Sequence, residues 1–366
     1  MSTRQLLATF ERWRTAGRDL VLATVYDTAG STYSKAGAQM LIDADGNFQG
    51  MLSGGCLEGD LAERAQAVAA GAGPQSVTYD LRGRDEELWG LGVGCEGVMR
   101  IFLQPLPARD DFEPFAAMAA VYGGDAAGAA ATVLATDGRG PAPGATLVVA
   151  GETTHAAGIG TDWHAALLPG MERARAEHRA YTTAVQRDGV TLDVLFARLA
   201  PPPHVLVLGA GLDAEPLVRL LAELGWRVTV QDHRPAYLER GDFSEAGRLL
   251  NLTPDELPAV LDLQRIDAAI VMSHHLQTDR RYLTMLADSS VPYVGLLGPL
   301  DRRRRLLAEL GDVAGALAGR VHGPAGLDIG GRGPAAIALS IVAELHQQLV
   351  KEDRLRERDA ADPQTA

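Results

Sequence analysis

Apolar residues in TRQLLATFERWRT recur at three- and four-residue spacing among charges, which predicts a helix over about 4–16. LVLATVYD, AQMLID and FQGMLS then read as strands, with the turn DADGN between the last two. A helical pattern starts after Cys56 and runs over about 57–70. The apolar strand VMRIFLQPL closes a first segment, residues 1–107.

The pattern then repeats. ATV at 23–25 returns at 131–133, GAQMLI at 37–42 returns as GATLVV at 144–149, and GMLSGGCLEGDLAERA has a counterpart in GIGTDWHAALLPGMERA. The offset is about 108 residues at the ungapped core. A duplication explains it and predicts one domain, residues 1–200, made of halves 1–107 and 112–200. Chance likeness between Ala- and Gly-rich strands is the alternative. His164 stands in the second half where Cys56 stands in the first.

Pro201, Pro202 and Pro203 mark a stiff boundary. Beyond them HVLVLG, WRVTVQD, DAAIVMSHH and VPYVGLLG alternate with helical patterns around 213–224, 302–310 and 334–348. That rhythm predicts a Rossmann-like parallel-sheet domain over 201–348, and the fold class is α/β. The charged stretch 349–366 has no apolar face and is expected to be disordered.

Composition narrows the function. The net charge of −13 argues against nonspecific nucleic-acid binding, which needs a basic face. No apolar run reaches the roughly 18 residues of a membrane span, and the N-terminus lacks a signal-peptide stretch. A cytoplasmic setting is expected, with thiols kept reduced. Two cysteines, Cys56 and Cys95, are too few for a disulfide framework or a Cys-rich metal site.

Both cysteines sit in glycine loops, SGGC and GVGCEG, where a core cysteine is out of place. Cys56 precedes a helix, whose dipole favours thiolate, and the amides of Gly54 and Gly55 could cradle an anion. Glu96 beside Cys95 opposes a low pKa there, so Cys56 is the better nucleophile or soft-metal contact. GSTYSKAG offers Ser31, Thr32 and Lys35 to a phosphate or pterin; its plainer reading is a hairpin turn.

In HVLVLGAGLDAEP, Gly209, Gly211 and Ala214 form G-x-G-x-x-A between a strand and a helix, with Asp232 ending the next strand. Gly209 makes the tight turn, Gly211 admits a phosphate, and Asp232 could accept ribose hydroxyls. His233 and Arg234 leave NAD or NADP open. His274 and His275 follow a central strand. If that strand continues, they point to opposite faces and one meets the crevice; the alternative is a surface pair. The run Arg302 to Arg305 could face an anionic ligand or a partner protein; the alternative, for at least two of the four, is a solvated helix face.

The set GSTYSKAGAQMLI, SGGCLEGDL, WGLGVGCEGV, VLGAG, TVQDHRP, SHHLQTD, VGLLG and GLDIGGRGPAAIALSIVAEL resembles the XdhC/CoxI family of xanthine dehydrogenase accessory proteins. The resemblance implies a maturation factor, not an enzyme, that binds molybdenum cofactor and protects it during sulfuration. It would then help insert the cofactor into a molybdenum hydroxylase apo-enzyme. It implies a cysteine desulfurase as a second partner and leaves a homo-oligomer open. Carried over by position, Cys56 and Cys95 match the family's two glycine-flanked cysteines, Gly209 and Gly211 its Rossmann turn, His274 and Asp279 its strand-end motif, and Asp328 its final loop. Together with Ser31, Lys35, Gly54 and Gly55, the two cysteines would meet the cofactor, with Cys56 at its molybdenum end. Gly209, Gly211, Asp232, His274 and Asp328 would serve NAD(P) or another nucleotide. The competing reading is an NAD(P)-dependent oxidoreductase.

Overall fold

The computed structural model describes residues 2–82 and 97–361, with 351–361 as backbone alone. Contacts divide the chain into two compact units, built on Thr3–Pro201 and Pro202–Leu355.

In the first unit, α1 (Thr3–Thr15) precedes β1 (Leu20–Gly30), β2 (Gln39–Asp43), β3 (Phe48–Gln49), α2 (Glu58–Ala67), β4 (Gln75–Asp80) and β5 (Gly97–Leu106). After α3 (Phe115–Gly123) come β6 (Gly128–Thr136), β7 (Thr146–Ala150), β8 (Thr153–Ala157), α4 (Thr161–Ala176), β9 (Tyr181–Arg187) and β10 (Val190–Leu199). The strands form two antiparallel sheets of identical order, β3-β2-β1-β5-β4 and β8-β7-β6-β10-β9. The duplication expected from the sequence is present in the fold.

The copying extends to single hydrogen bonds. The Val25 amide donates to Ala38 and the Gly37 amide to Val25; in the second half Val133 donates to Ala145 and Gly144 to Val133. Both sheets slip register at one place, between Val25 and Asp27 in β1 and opposite Val133 and Ala135 in β6. Such a bulge bends the strand and increases its twist. Gly37 and Gly144 both take left-handed backbone, φ +92° and +90°. Each turn also presses on the other half: a Cβ on Gly37 would lie 2.9 Å from Ala180 Cβ, and one on Gly144 would lie 3.2 Å from Pro74 Cγ.

Strand alternation explains the layering. Val21, Ala23 and Val25 of β1 pack with Leu61 and Ala65 of α2, while Ala129, Ala131 and Val133 of β6 pack with Leu167 and Met171 of α4. The opposite faces share a third core, where Leu20, Leu22, Ala130 and Val148 meet Phe10 and Phe115. The last two rings meet edge-to-face at 4.9 Å.

The second unit holds β11 (His204–Leu208), α5 (Ala214–Glu223), β12 (Arg227–Gln231), α6 (Pro235–Arg240), β13 (Arg248–Leu250) and α7 (Leu257–Val260). There follow β14 (Ala268–Val271), α8 (Leu276–Ala287), β15 (Tyr293–Leu296), α9 (Leu300–Leu310), β16 (Val321–His322) and α10 (Pro334–Ala361). The sheet is parallel in the order β13-β12-β11-β14-β15-β16, the doubly wound Rossmann order. Its central strands are buried on both faces: Leu206 and Leu208 join one core, Val205 and Val207 the other.

Two expectations change. The tail expected to be disordered from 349 continues α10 to Ala361. KEDRLRERDAA lacks an apolar face but is made largely of strong helix formers, which extend an anchored helix. The strand before the histidine pair stops at Val271, so the alternation argument for His274 and His275 does not apply.

Candidate functional site

Two groups of predicted residues form, one in each unit. In the first unit, loops 31–36 and 51–57 meet. A Cβ on Gly54 would touch the Tyr33 ring at 3.3 Å, and Ser34 Oγ donates to the Met51 carbonyl at 3.4 Å. Gly97 opens β5 against the same place, since a Cβ there would lie 2.5 Å from the Ser31 carbonyl oxygen. Loop 31–36 thus lies between the SGGC loop and the start of β5. Cys95 lies outside the described residues.

Cys56 is half-buried: it packs against the core under β1 while its thiol donates to the Ser53 carbonyl at 3.8 Å. Gly54 and Gly55 are exposed, with φ +83° and +111°, values that only glycine takes without strain. Ser31 and Lys35 are exposed as well, and Lys35 Nζ reaches Thr32 Oγ1 at 3.4 Å.

The structure adds a residue that the sequence pattern does not single out. Glu58, fully buried at the first position of α2, folds back into the SGGC loop. Its carboxylate accepts from the amides of Leu52 and Ser53 at 2.8 Å, Gly55 at 3.0 Å and Leu57 at 3.2 Å, and from Ser53 Oγ. Burial pushes its pKa upward, but the bonds from Ser53 and Leu52 outweigh that and hold it below the ordinary 4.5. Of the two amides expected to cradle an external anion, that of Gly55 is filled from within. Those of Gly54 and Cys56 keep no partner among the described residues. A Glu opening a helix just after a Ser-Gly-Gly loop was the available signal.

In the second unit, β11 runs into the turn of Gly209 and Gly211. Gly209 has φ +126°, and a Cβ there would lie 2.5 Å from the Met272 carbonyl oxygen, so the end of β14 passes too close for any side chain. Asp232 is wholly buried. Its oxygens accept from the Ala210 amide at 2.9 Å, and from Arg234 through the amide and Nε at 2.9 Å and Nη2 at 2.8 Å. The carboxylate offered to ribose hydroxyls is therefore saturated by the chain itself. Burial raises its pKa, and the Arg234 and Ala210 bonds more than offset this, leaving it below the ordinary 3.8.

His274 takes left-handed backbone, φ +60°, and its Nε2 lies 2.7 Å from Asp213 Oδ2 beside Gly211. His275 instead caps α8, its Nδ1 accepting from the Thr278 amide at 3.4 Å. Arg302 points inward to Asp279 at 2.6 Å, and Asp279 also binds Ser273. Arg304 and Arg305 stay on the exposed face, as the pattern of the run implied. Asp328 is exposed in the loop before α10. A groove of about 780 Å³ opens between the halves of the first unit, lined by Asp19, Pro74, Gln104, Arg109, Gly144 and His155 among others; no predicted site residue borders it.

With this geometry in view, comparison with known proteins is informative. Residues 13–80 match the XdhC and CoxI family, and residues 205–345 match the XdhC Rossmann domain. A Bacillus subtilis protein, named as a probable subunit of xanthine dehydrogenase, is 30% identical over 329 residues, spanning 90% of this chain and 93% of its own. A crystal structure from Bacillus halodurans, described as a xanthine dehydrogenase, covers 96% of both chains at 30% identity with a TM-score of 0.75. An uncharacterised Escherichia coli protein is 26% identical over 162 residues, 43% of this chain and 30% of its own.

Proposed function

Because the chain belongs to the XdhC and CoxI family, we propose that it is a maturation factor for a xanthine dehydrogenase-type molybdenum hydroxylase. It binds molybdenum cofactor as cargo, protects it while a cysteine desulfurase sulfurates it, and helps place it in the apo-enzyme. The observation that carries this reading is the half-buried Cys56 in the SGGC loop, on which loop 31–36 packs at Gly54 and Met51.

The residues present suit the two ends of such a cargo differently. A thiolate suits its soft metal–sulfur end. The phosphate end does not fit the amide nest, which Glu58 fills. It is left to exposed Lys35 and Ser31 and to the amides of Gly54 and Cys56. Few committed donors mean modest affinity, which a carrier needs for release. In the second unit the turn of Gly209 and Gly211 supports a nucleotide site.

Gel filtration of the protein with molybdenum cofactor, followed by a molybdenum and pterin assay of the protein peak, tests the proposal. Co-elution is expected, with at least a tenfold loss in Cys56→Ala. Equal retention by that variant removes the thiol from the site. The glycine turn also favours a second reading, an NAD(P)-dependent oxidoreductase. Turnover of reduced NAD(P) over a substrate panel would support that one instead.

A further inference from the structure

The ribose corner of the second unit has its own electrostatic preference. In this fold, the acidic residue ending the second strand accepts the free ribose hydroxyls of a nucleotide, whereas a nearby arginine accommodates a ribose phosphate. Here both residue types are present, and the geometry shows which one a ligand meets. Asp232 is fully buried, and both its oxygens are occupied by Ala210 and Arg234. A hydroxyl would find no free acceptor there without breaking the bidentate pair.

Arg234 is different. Its guanidinium lies 3.7 Å over the Tyr237 ring, and Nη2 also reaches the Ser273 carbonyl at 3.3 Å. Nη1 makes no bond among the described residues, and 28% of the side chain is open. The neighbouring His233 is 33% open, and its Nδ1 lies 3.5 Å from the same Asp232 oxygen. A guanidinium held over a ring and bonded through Nε and Nη2 is ordered before any ligand arrives. Nη1 is the nitrogen left to donate to a phosphate.

We infer that the Rossmann-like unit takes a nucleotide bearing a phosphate on its ribose, of the NADP(H) kind, in preference to one with free ribose hydroxyls. Arg234 is the specificity-determining residue, and Tyr237 sets its orientation. The inference rests on the reading of the glycine turn as a nucleotide site. The preference itself comes from the ribose corner alone.

Isothermal titration of the full chain with NADP⁺, NAD⁺, 2′,5′-ADP and 5′-AMP separates the possibilities, with inorganic phosphate as a control. NADP⁺ is expected to bind at least tenfold tighter than NAD⁺, and 2′,5′-ADP at least tenfold tighter than 5′-AMP. Arg234→Gln should bring NADP⁺ to the affinity of NAD⁺, with Arg234→Lys between. A urea melt confirms that each variant is folded. Should both variants unfold, the comparison of the four ligands on the parent chain still decides. Equal or tighter binding of NAD⁺ overturns the preference while leaving a nucleotide site in place. Binding of none of the four overturns both. Inorganic phosphate binding as tightly as 2′,5′-ADP would reduce the corner to an anion site and overturn the preference for a nucleotide.

Discussion

Asp232 and Arg234 close a two-pronged ion pair just past the end of β12, Nε to Oδ1 at 2.9 Å and Nη2 to Oδ2 at 2.8 Å. Its carboxylate side is buried and its guanidinium side is only partly so. Removing one partner from such a pair leaves a charge without compensation.

Asp232→Ala is therefore expected to cost about 3–5 kcal/mol, read as a lower urea midpoint. The double variant with Arg234→Ala should cost less than the two singles added together. Strict additivity would show that the pair contributes no mutual stabilisation.

Glu58 anchors the loop that carries Cys56. Glu58→Ala leaves several buried amides unsatisfied and should cost about 3 kcal/mol. Because the folded carboxyl sits below its ordinary 4.5, its contribution is fully present above that pH and fades as pH falls through and below it. Stability measured by urea titration should thus hold above pH 5 and decline in acid, with a shallower decline in Glu58→Gln.

Gly37 and Gly144 make a matched pair of tests. Alanine at either meets both left-handed backbone and a crowded neighbour in the other half. A loss of about 1–3 kcal/mol is expected for each. Gly37→Ala should be the worse, since its contact is the tighter. Ala180→Gly should recover part of that loss in thermal melts but none of the loss from Gly144→Ala.

The arginine run on α9 divides sharply. Arg302→Ala strands the buried Asp279 and should cost about 3 kcal/mol. Arg304→Ala and Arg305→Ala, which break exposed pairs, should each stay within about 0.5 kcal/mol of the parent. Equal effects across the three in urea melts would contradict the inward orientation of Arg302.

The duplication, the parallel sheet and the glycine turn were legible because each leaves a periodic or spaced signature in the chain. The repeat of GAQMLI as GATLVV coincides with the copied hydrogen bonds of Val25 and Val133. Helix α8 was not legible: LQTDRRYLTMLA mixes apolar and charged residues directly after an apolar strand, and its cap is a histidine, a residue with several other uses. The roles of Glu58 and Arg234 were hidden for a different reason. Each acts on a neighbour close in sequence by folding back over a turn, and spacing alone does not tell whether a carboxylate or guanidinium faces inward or toward a ligand.

The twofold likeness of the halves has a practical consequence. Cys56 lies in the loop before α2, whereas His164, its counterpart by sequence, lies inside α4, so the two positions do not coincide in the fold. A chain in which the second half is exchanged for another copy of the first would set glycine against proline at both contacts, the pairing that Gly144 and Pro74 already accommodate. Such a tandem would be a symmetric molecule with two SGGC loops.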